Sequence, residues 1–236
     1  MIDIPHLMKN KSVLITGSSR GLGRELALVF AREKYGIILN GRNGIELEKT
    51  AGEIRKLGVE CCSVLGDIRD RRTLDALYDA SKRNDMGVLV NNAGSSLSAL
   101  KEVANYLSDE QIDEMIETHL SAPIKLVARM LPLLKENKGT IININSLSGL
   151  EIKRLRACYC ASKWGLRAYT DALRLETADN VRVIGVYPSR IKTIPEFQGY
   201  GWEPREVAER IYESFKNIDS TNLVLDGRPT EHRTSR

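Results

Sequence analysis

A serine, a tyrosine and a lysine in this sequence have the spacing needed to move a proton to or from a carbonyl oxygen. The pattern Tyr-x-x-x-Lys begins at Tyr78, Tyr159 and Tyr212, but only Tyr159 has a serine, Ser146, thirteen residues before it. On a helix Tyr159 and Lys163 share one face, because residues four apart are neighbours there. Ser146, Tyr159 and Lys163 are therefore the candidate catalytic set, and the other two matches are accidental.

The chemistry expected of the catalytic set is acid–base catalysis at an alcohol or carbonyl group. A free tyrosine has a pKa of about 10, and we expect the ammonium group of Lys163 to lower the pKa of Tyr159. Tyr159 would then protonate the carbonyl oxygen as hydride reaches the carbon, or remove that proton in the reverse direction. Ser146 would orient the same oxygen through a hydrogen bond.

A glycine-rich segment near the N-terminus predicts a nucleotide site. Thr16–Gly23 follows an apolar segment and precedes a helical pattern, so its backbone amides and the helix start can hold a pyrophosphate. The spacing of Gly17, Gly21 and Gly23 differs from the common G-x-G-x-x-G, but the strand–turn–helix context is the required one. An ordinary glycine loop is the alternative interpretation.

The residues after the second predicted strand favour NADP over NAD. An acid there would bind the ribose 2′-hydroxyl of NAD, whereas an arginine suits the 2′-phosphate of NADP. This chain has Asn40, Gly41 and Arg42 at that point. Arg20 lies in the glycine-rich segment and can flank the same phosphate, because guanidinium groups bind phosphate in a bidentate manner. The alternative is that both arginines are solvated surface residues.

Short apolar segments alternate with helical patterns along most of the chain. Six strands are predicted, at residues 12–15, 36–40, 62–65, 88–90, 140–145 and 181–186. Continuous apolar strands separated by helices predict a parallel sheet covered on both faces, so the expected fold is a doubly wound, Rossmann-like α/β fold. A capping box at Ser108 predicts the start of a long helix, which Pro123 and Pro132 would bend or break.

Composition sets limits on the class of protein. With 236 residues, 42% of them hydrophobic and 28% charged, the chain is expected to form one domain, with a short lead at 1–10 and a frayed tail at about 230–236. A net charge of +4, with 31 acids interleaved, argues against a nucleic acid partner. Without a long apolar stretch or a secretory signal, a cytoplasmic protein is predicted. The cysteine and histidine spacing predicts no metal site.

In combination these motifs resemble the short-chain dehydrogenase/reductase family, in its compact single-domain type, from about residue 11 to residue 193. The resemblance rests on Thr16–Gly23, Asn91–Gly94, Ser146 and Tyr159–Lys163. It implies that Ser146 and Tyr159 are catalytic and that Lys163 also binds the nicotinamide ribose. It further implies homodimers or homotetramers formed through the two long helices.

The resemblance also assigns residues to the cofactor. The implied contacts come from Gly17, Ser19, Arg20, Gly21, Leu22, Gly23, Arg42, Asp67, Ile68, Asn91, Ala93, Gly94, Tyr159, Lys163 and Thr193. In the family, the position of Asp67 contacts adenine, and that of Thr193 contacts the nicotinamide carboxamide.

One departure from the family pattern lies in the first long helix. The family has a catalytic asparagine there, which helps hold a water that links the lysine to solvent, and this chain has His119 instead. Histidine can donate and accept hydrogen bonds, so His119 could replace the asparagine or titrate in the working range. The alternative is a packed histidine without a role.

A second feature is a cluster of positive charge near the catalytic set. Lys153, Arg154 and Arg156 lie in the segment that borders the substrate in the family, and Arg190 follows the sixth strand. An anionic substrate held by Arg156 and Arg190 is a hypothesis, and solvated surface charge is the alternative.

The leading interpretation is an NADP(H)-dependent oxidoreductase that reduces a carbonyl on a small molecule to an alcohol, or the reverse, with Tyr159 as the acid–base. A non-catalytic NADP(H)-binding regulator or scaffold is the alternative, and His119 favours it. An epimerase or dehydratase acting on a nucleotide sugar usually needs a larger C-terminal region than the 43 residues after Thr193. The fold alone does not identify the substrate.

Overall fold

A computed structural model of the protein describes residues 11–95, 106–193 and 200–229, and within them seven strands form one parallel sheet. The strands are β1 (Ser12–Ile15), β2 (Gly36–Gly41), β3 (Cys61–Leu65), β4 (Met86–Asn91), β5 (Thr140–Ile144), β6 (Arg182–Pro188) and β7 (Asn222–Leu225). Their order across the sheet is β3-β2-β1-β4-β5-β6-β7. The direction of winding reverses between β1 and β4, which is where open α/β sheets bind their ligands.

Helices cover both faces of the sheet. They are α1 (Gly21–Arg32), α2 (Gly44–Arg55), α3 (Arg71–Arg83), α4 (Asp109–Ile116), α5 (Ala122–Glu136), α6 (Ala157–Thr177) and α7 (Pro204–Lys216). Alternate residues of a strand point to opposite faces, so Val13 and Ile15 pack with α1, α2 and α7, whereas Leu14 packs with α3, α5 and α6. Two apolar layers explain why β1 reads as a continuous apolar run.

The predicted doubly wound α/β fold is confirmed, and each of the six predicted strands is present. The prediction missed α7 and β7, which extend the sheet beyond β6. Helix α1 begins at Gly21, whereas the sequence pattern predicts a helix only from Glu25 to Lys34. The predicted lead and tail lie outside the described residues. No helix in the described ranges has the length and apolar content needed to cross a membrane.

The first long helix is interrupted before its first proline. The capping box is confirmed, because the Ser108 hydroxyl accepts a hydrogen bond from the Gln111 N–H and the Gln111 side chain accepts one from the Ser108 N–H. After α4 the chain forms one π-helical turn, Glu117–Ser121. Pro123 has no N–H to donate to the carbonyl oxygen four residues earlier, so the regular α-helical hydrogen bonding is interrupted there. Helix α5 then continues through Pro132 to Glu136, so the second proline does not break the helix.

Candidate active site

A cleft of 380 Å³ opens at the carboxyl ends of β1, β2 and β4, where the topology places a ligand. Eight of the residues predicted to hold the cofactor line it: Gly17, Ser19, Arg20, Arg42, Asp67, Ile68, Ala93 and Gly94. Asn43, Glu46 and Thr118 line the cleft too and were missed by the sequence analysis. Asn43 caps α2, and Thr118 belongs to the π-helical turn, so neither lies in a motif that the sequence made conspicuous.

The other predicted cofactor residues are not part of the lining of this cleft. The Leu22 side chain is buried in the core, which leaves its amide as the part able to face a ligand. The Asn91 side chain donates to Asn143 Oδ1 at 2.8 Å inside the sheet. A Cβ at Gly21 would lie 3.2 Å from Thr193 Cγ2, so Thr193 stands over the start of α1.

The glycine turn fits against the segment after β4. Gly17 has a φ of +66°, and a Cβ there would lie 2.8 Å from Ala93 Cα. A Cβ at Gly23 would overlap the Gly17 carbonyl oxygen and lie 2.5 Å from Asn92 Nδ2. Asn92 Nδ2 in turn donates to the carbonyl oxygens of Thr16, at 2.9 Å, and Gly17, at 3.1 Å. Glycine is required at both positions because the two backbone segments touch.

Three properties of the cleft fit a dinucleotide. The first turn of α1 carries no acid, and no side chain caps it, so its N–H groups and dipole are available to a pyrophosphate. The Ser19 hydroxyl is buried and, among the described residues, has no hydrogen-bond partner. A side chain at Gly41 would overlap that hydroxyl, so the missing Cβ keeps the space beside it open.

Asp67 is held as a carboxylate by two arginines. Arg69 forms a bidentate pair with it, with Nη2 at 2.9 Å from Oδ2, and Arg42 Nη1 lies 3.5 Å from the same oxygen. Burial acts to raise the pKa of Asp67, but the hydrogen bonds from Arg69 and the charge of Arg42 outweigh it and leave the pKa below its usual value. The negative charge of Asp67 is therefore already neutralised by arginines of the protein itself.

The structure brings Ser146, Tyr159 and Lys163 together. Ser146 follows β5, and the other two lie in the first turns of α6. The Tyr159 hydroxyl is hydrogen-bonded with the Ser146 hydroxyl. Lys163 is buried, its Nζ donates to the Ile144 carbonyl at 3.1 Å, and that nitrogen lies 5.8 Å from the centre of the Tyr159 ring.

The protein's own residues do not lower the pKa of Tyr159, contrary to the expectation from the sequence. Burial raises the pKa of Tyr159, and the hydrogen bond with Ser146 and the charge of Arg156 only oppose that effect. Burial also lowers the pKa of Lys163 to about 7. A lysine that is half protonated at neutral pH and turned to a backbone carbonyl stabilises a phenolate less than a full ammonium would.

An asparagine that the sequence analysis missed joins the parts of the catalytic set. Asn145 Oδ1 accepts from the Ser146 N–H at 2.9 Å, and its Nδ2 donates to the Lys163 carbonyl at 3.1 Å. Asn145 is buried, so both hydrogen bonds are shielded from water. This side chain fixes the end of β5 against α6, and with it the separation of Ser146 from Tyr159.

Sequence and structure comparisons agree with this site. The profile of the short chain dehydrogenase family matches residues 11–196. The chain belongs to the short-chain dehydrogenase family. It is an oxidoreductase of that family, and the matched span contains the glycine turn, Ser146, Tyr159 and Lys163.

Relatives and solved structures are similar over most of their length. A ketoacyl reductase from a Nostoc species is 30% identical over 94% of this chain and 80% of its own. An NADP-dependent 3-hydroxy acid dehydrogenase from Schizosaccharomyces pombe is 30% identical over 92% of this chain and 85% of its own. The structure of an alcohol dehydrogenase from Thermococcus sibiricus, complexed with 5-hydroxy-NADP, superposes with a TM-score of 0.87 at 26% identity, covering 96% of this chain and 99% of the other.

His119, at the usual asparagine position of the short-chain dehydrogenases, lies against Tyr159. Its ring is 4% exposed and meets the Tyr159 ring edge to face, with centroids 5.3 Å apart. The Ser95 N–H donates to His119 Nε2 at 3.3 Å, so the proton of the neutral ring belongs on Nδ1. Among the described residues, Nδ1 has no partner. Burial, followed by the charges of Lys163 and Arg156, lowers the pKa of His119 well below its usual value, so the ring is neutral.

The two arginines proposed for the substrate are placed differently in this short-chain dehydrogenase. Arg156 immediately precedes α6, and its guanidinium carbon lies 4.4 Å from the centre of the Tyr159 ring. Arg190 follows β6 and stacks on Tyr200, with 5.2 Å between the guanidinium carbon and the ring centre. Arg156 therefore lies beside the reacting groups, whereas the described ring contact of Arg190 is with Tyr200.

Proposed function

We propose that this protein is an NADP(H)-dependent oxidoreductase that interconverts a carbonyl and an alcohol, with Tyr159 as the acid–base. The observation that carries the proposal is the hydrogen-bonded pair of hydroxyls, Ser146 and Tyr159, which lies outside the lining of the cleft but close to its wall. His119 connects the two regions, because its ring contacts Tyr159 and its Cε1 lies 3.2 Å from where a Cβ of Gly94, in the cleft wall, would stand.

The charges around the cleft support NADP(H). Arg20 and Arg42 both line it, and β2 ends in Asn40 and Gly41 without an acid. Glu46 and Asp67 also line the cleft. Arg69 forms the bidentate pair with Asp67, which leaves Arg20 and Arg42 to outweigh Glu46. The solved relatives include two complexed with an NADP compound, and one curated relative is an NADP-dependent enzyme. In such a site the cofactor supplies or accepts the hydride.

The protein's own residues then manage the proton. In the direction of reduction, the hydroxyls of Ser146 and Tyr159 donate hydrogen bonds to the carbonyl oxygen and hold it in place. Tyr159 Oη transfers its proton to that oxygen. A protonated Lys163 stabilises the phenolate that remains, and its buried position limits the water that would screen this charge.

Cofactor choice tests the binding half of the proposal. In the double variant Arg20→Gln, Arg42→Gln we expect kcat/KM for NADPH to fall about 10²-fold or more, because each of the two charge-assisted hydrogen bonds that are lost contributes about 1.5–3 kcal/mol. The value for NADH should change little, since it has no 2′-phosphate. Arg32→Gln, at the other end of α1, is the control. A wild-type enzyme that uses NADH as well as NADPH would contradict the assignment.

The rival function is that of a non-catalytic NADP(H)-binding regulator. It predicts tight NADPH binding without turnover of any carbonyl substrate. The intact catalytic set favours the enzyme, because binding alone needs no hydrogen-bonded Ser146–Tyr159 pair. The substrate panel begins with 3-oxo compounds, since one relative is a ketoacyl reductase and another a 3-hydroxy acid dehydrogenase.

We further propose that His119 takes over the role of the family's asparagine in holding the relay water, with its Nδ1–H as the hydrogen-bond donor. An asparagine amide can reach the place of Nδ1, whereas a glutamine amide reaches that of Nε2. We therefore expect His119→Asn to keep kcat within about 3-fold and His119→Gln to lower it about 10-fold or more. The measurement is the pH profile of kcat for both variants.

The same pair of variants separates catalysis from packing. If His119 acts only as the acceptor of the Ser95 N–H, His119→Gln keeps that hydrogen bond and should match the wild type, whereas His119→Asn should be the weaker enzyme. That reversed order would exclude the donor role.

A further inference from the structure

We propose that Arg156 binds a carboxylate of the substrate, so that the preferred substrates are short oxo acids and the corresponding hydroxy acids. This inference rests on the proposed function, because it concerns the same site. It names the feature by which the enzyme would distinguish its substrate from a neutral carbonyl compound.

The position of Arg156 relative to the reacting oxygen carries the inference. Its guanidinium carbon is 4.4 Å from the Tyr159 ring centre, and both residues line one small cavity. Leu107, Met115 and Leu155 supply apolar surface to the same cavity. A substrate whose carbonyl meets the Tyr159 hydroxyl would present its neighbouring carbons to this wall and a nearby acid group to Arg156.

The charges of the surrounding loop favour an anion. Lys153, Arg154 and Arg156 are three cations within four residues. Two carboxylates of the same region, Glu151 and Asp226, are both engaged by Arg228, with oxygens of each at 2.8 Å from its guanidinium nitrogens. Burial and then the charge of Arg228 lower the pKa of Lys153, and Arg156 adds to that effect. An anion bound here would reduce this repulsion.

The geometry favours a carboxylate of the substrate over a phosphate of a carrier. A guanidinium binds a carboxylate in a planar, bidentate manner, and this one lies directly against the ring of the acid–base. The phosphates of an acyl carrier are separated from the acyl carbonyl by a long flexible arm, so they would bind farther from Tyr159. In a short oxo acid the two polar groups are close enough together for the carbonyl oxygen to meet Tyr159 while the carboxylate meets Arg156.

The test compares each acid with its uncharged counterpart. NADPH oxidation is measured with 2-, 3- and 4-oxo acids of four to six carbons, with their methyl esters, and with the N-acetylcysteamine thioester of 3-oxobutanoate. We expect at least one acid to exceed its ester in kcat/KM by 10-fold or more, mainly through KM. Arg156→Gln should lower the ratio of kcat/KM for the acid to kcat/KM for its ester by about 10–100-fold. Arg154→Gln, an exposed arginine in the same loop, should keep it.

The ratio of acid to ester is the deciding quantity, because any effect of Arg156 on Tyr159 changes both rates alike. Equal turnover of acids and esters by the wild type, a higher rate with the thioester, or an unchanged ratio in Arg156→Gln would overturn the inference. In each of these results the reductase proposal would survive. Failure of every carbonyl with NADPH would instead count against the proposed function.

A binding measurement on the wild-type protein tests the inference even if no compound is turned over and even if the Arg156 variant does not fold. Calorimetry with wild-type protein and NADP⁺ compares butanoate with butanamide, which differ in charge and hardly in shape. Binding of butanoate at least 10-fold tighter than that of butanamide supports the carboxylate site, and equal affinities overturn it.

Discussion

Replacing Tyr159 with phenylalanine is expected to lower kcat for carbonyl reduction about 10²–10⁴-fold, which is the usual contribution of a positioned general acid. The substitution removes only the hydroxyl that is hydrogen-bonded with Ser146. The ring remains in its edge-to-face contact with His119. We therefore expect NADPH affinity, measured by fluorescence titration, to stay within about 2-fold of the wild type.

The chain contains a matched control for this substitution. Tyr78 also begins a Tyr-x-x-x-Lys sequence, but it lies on α3 and packs against the core on that side of the sheet. Tyr78→Phe removes the same atom from the same short motif and should leave kcat unchanged. Comparable losses in the two variants would mean that the proton comes from another group.

Gly23→Ala is expected to weaken NADPH binding by about 10²-fold or more. The new Cβ would overlap the Gly17 carbonyl oxygen, so the glycine turn has to move and the amides at the start of α1 move with it. Each charge-assisted hydrogen bond to a phosphate contributes about 1.5–3 kcal/mol, and the loss of two gives an effect of this size. The dissociation constant by calorimetry is the appropriate measurement.

Gly52→Ala is the control for this second variant. Gly52 lies within α2, and a Cβ there would meet no atom within 4 Å. Alanine should leave NADPH affinity unchanged and raise the free energy of unfolding by about 0.5–1 kcal/mol, because glycine disfavours a helix. A Gly23→Ala protein that binds NADPH like the wild type would show that the turn is not the pyrophosphate site.

The sequence predicted those parts of the fold that depend on local patterns. Strands buried on both faces, such as β1, read as apolar runs, and the capping box marked the start of α4. β7 escaped prediction because it has only four residues and three of them are not fully buried. The π-helical turn could not be read from the sequence either, since Pro123 signals a disturbance but not its form.

The site was predictable to the same extent. Residue type and spacing identified Ser146, Tyr159 and Lys163, because a motif is a local property of the chain. The supporting hydrogen bonds of Asn145 and the burial that raises the pKa of Tyr159 arise only when distant segments pack together. Protonation behaviour therefore depends on the tertiary structure, and the expected direction for Tyr159 was wrong for that reason.

The buried arginine near the end of the described chain has a consequence for the order of assembly. Arg228 holds Glu151, five residues after Ser146, and the two partners are 77 residues apart in sequence. During synthesis the N-terminal part of a chain emerges first. The strands that frame the nucleotide cleft are therefore available long before the ion pair between Arg228 and Glu151 can form. The loop bordering the reactive tyrosine can be fixed only afterwards. We expect a nascent chain to acquire its nucleotide-binding half before its catalytic half.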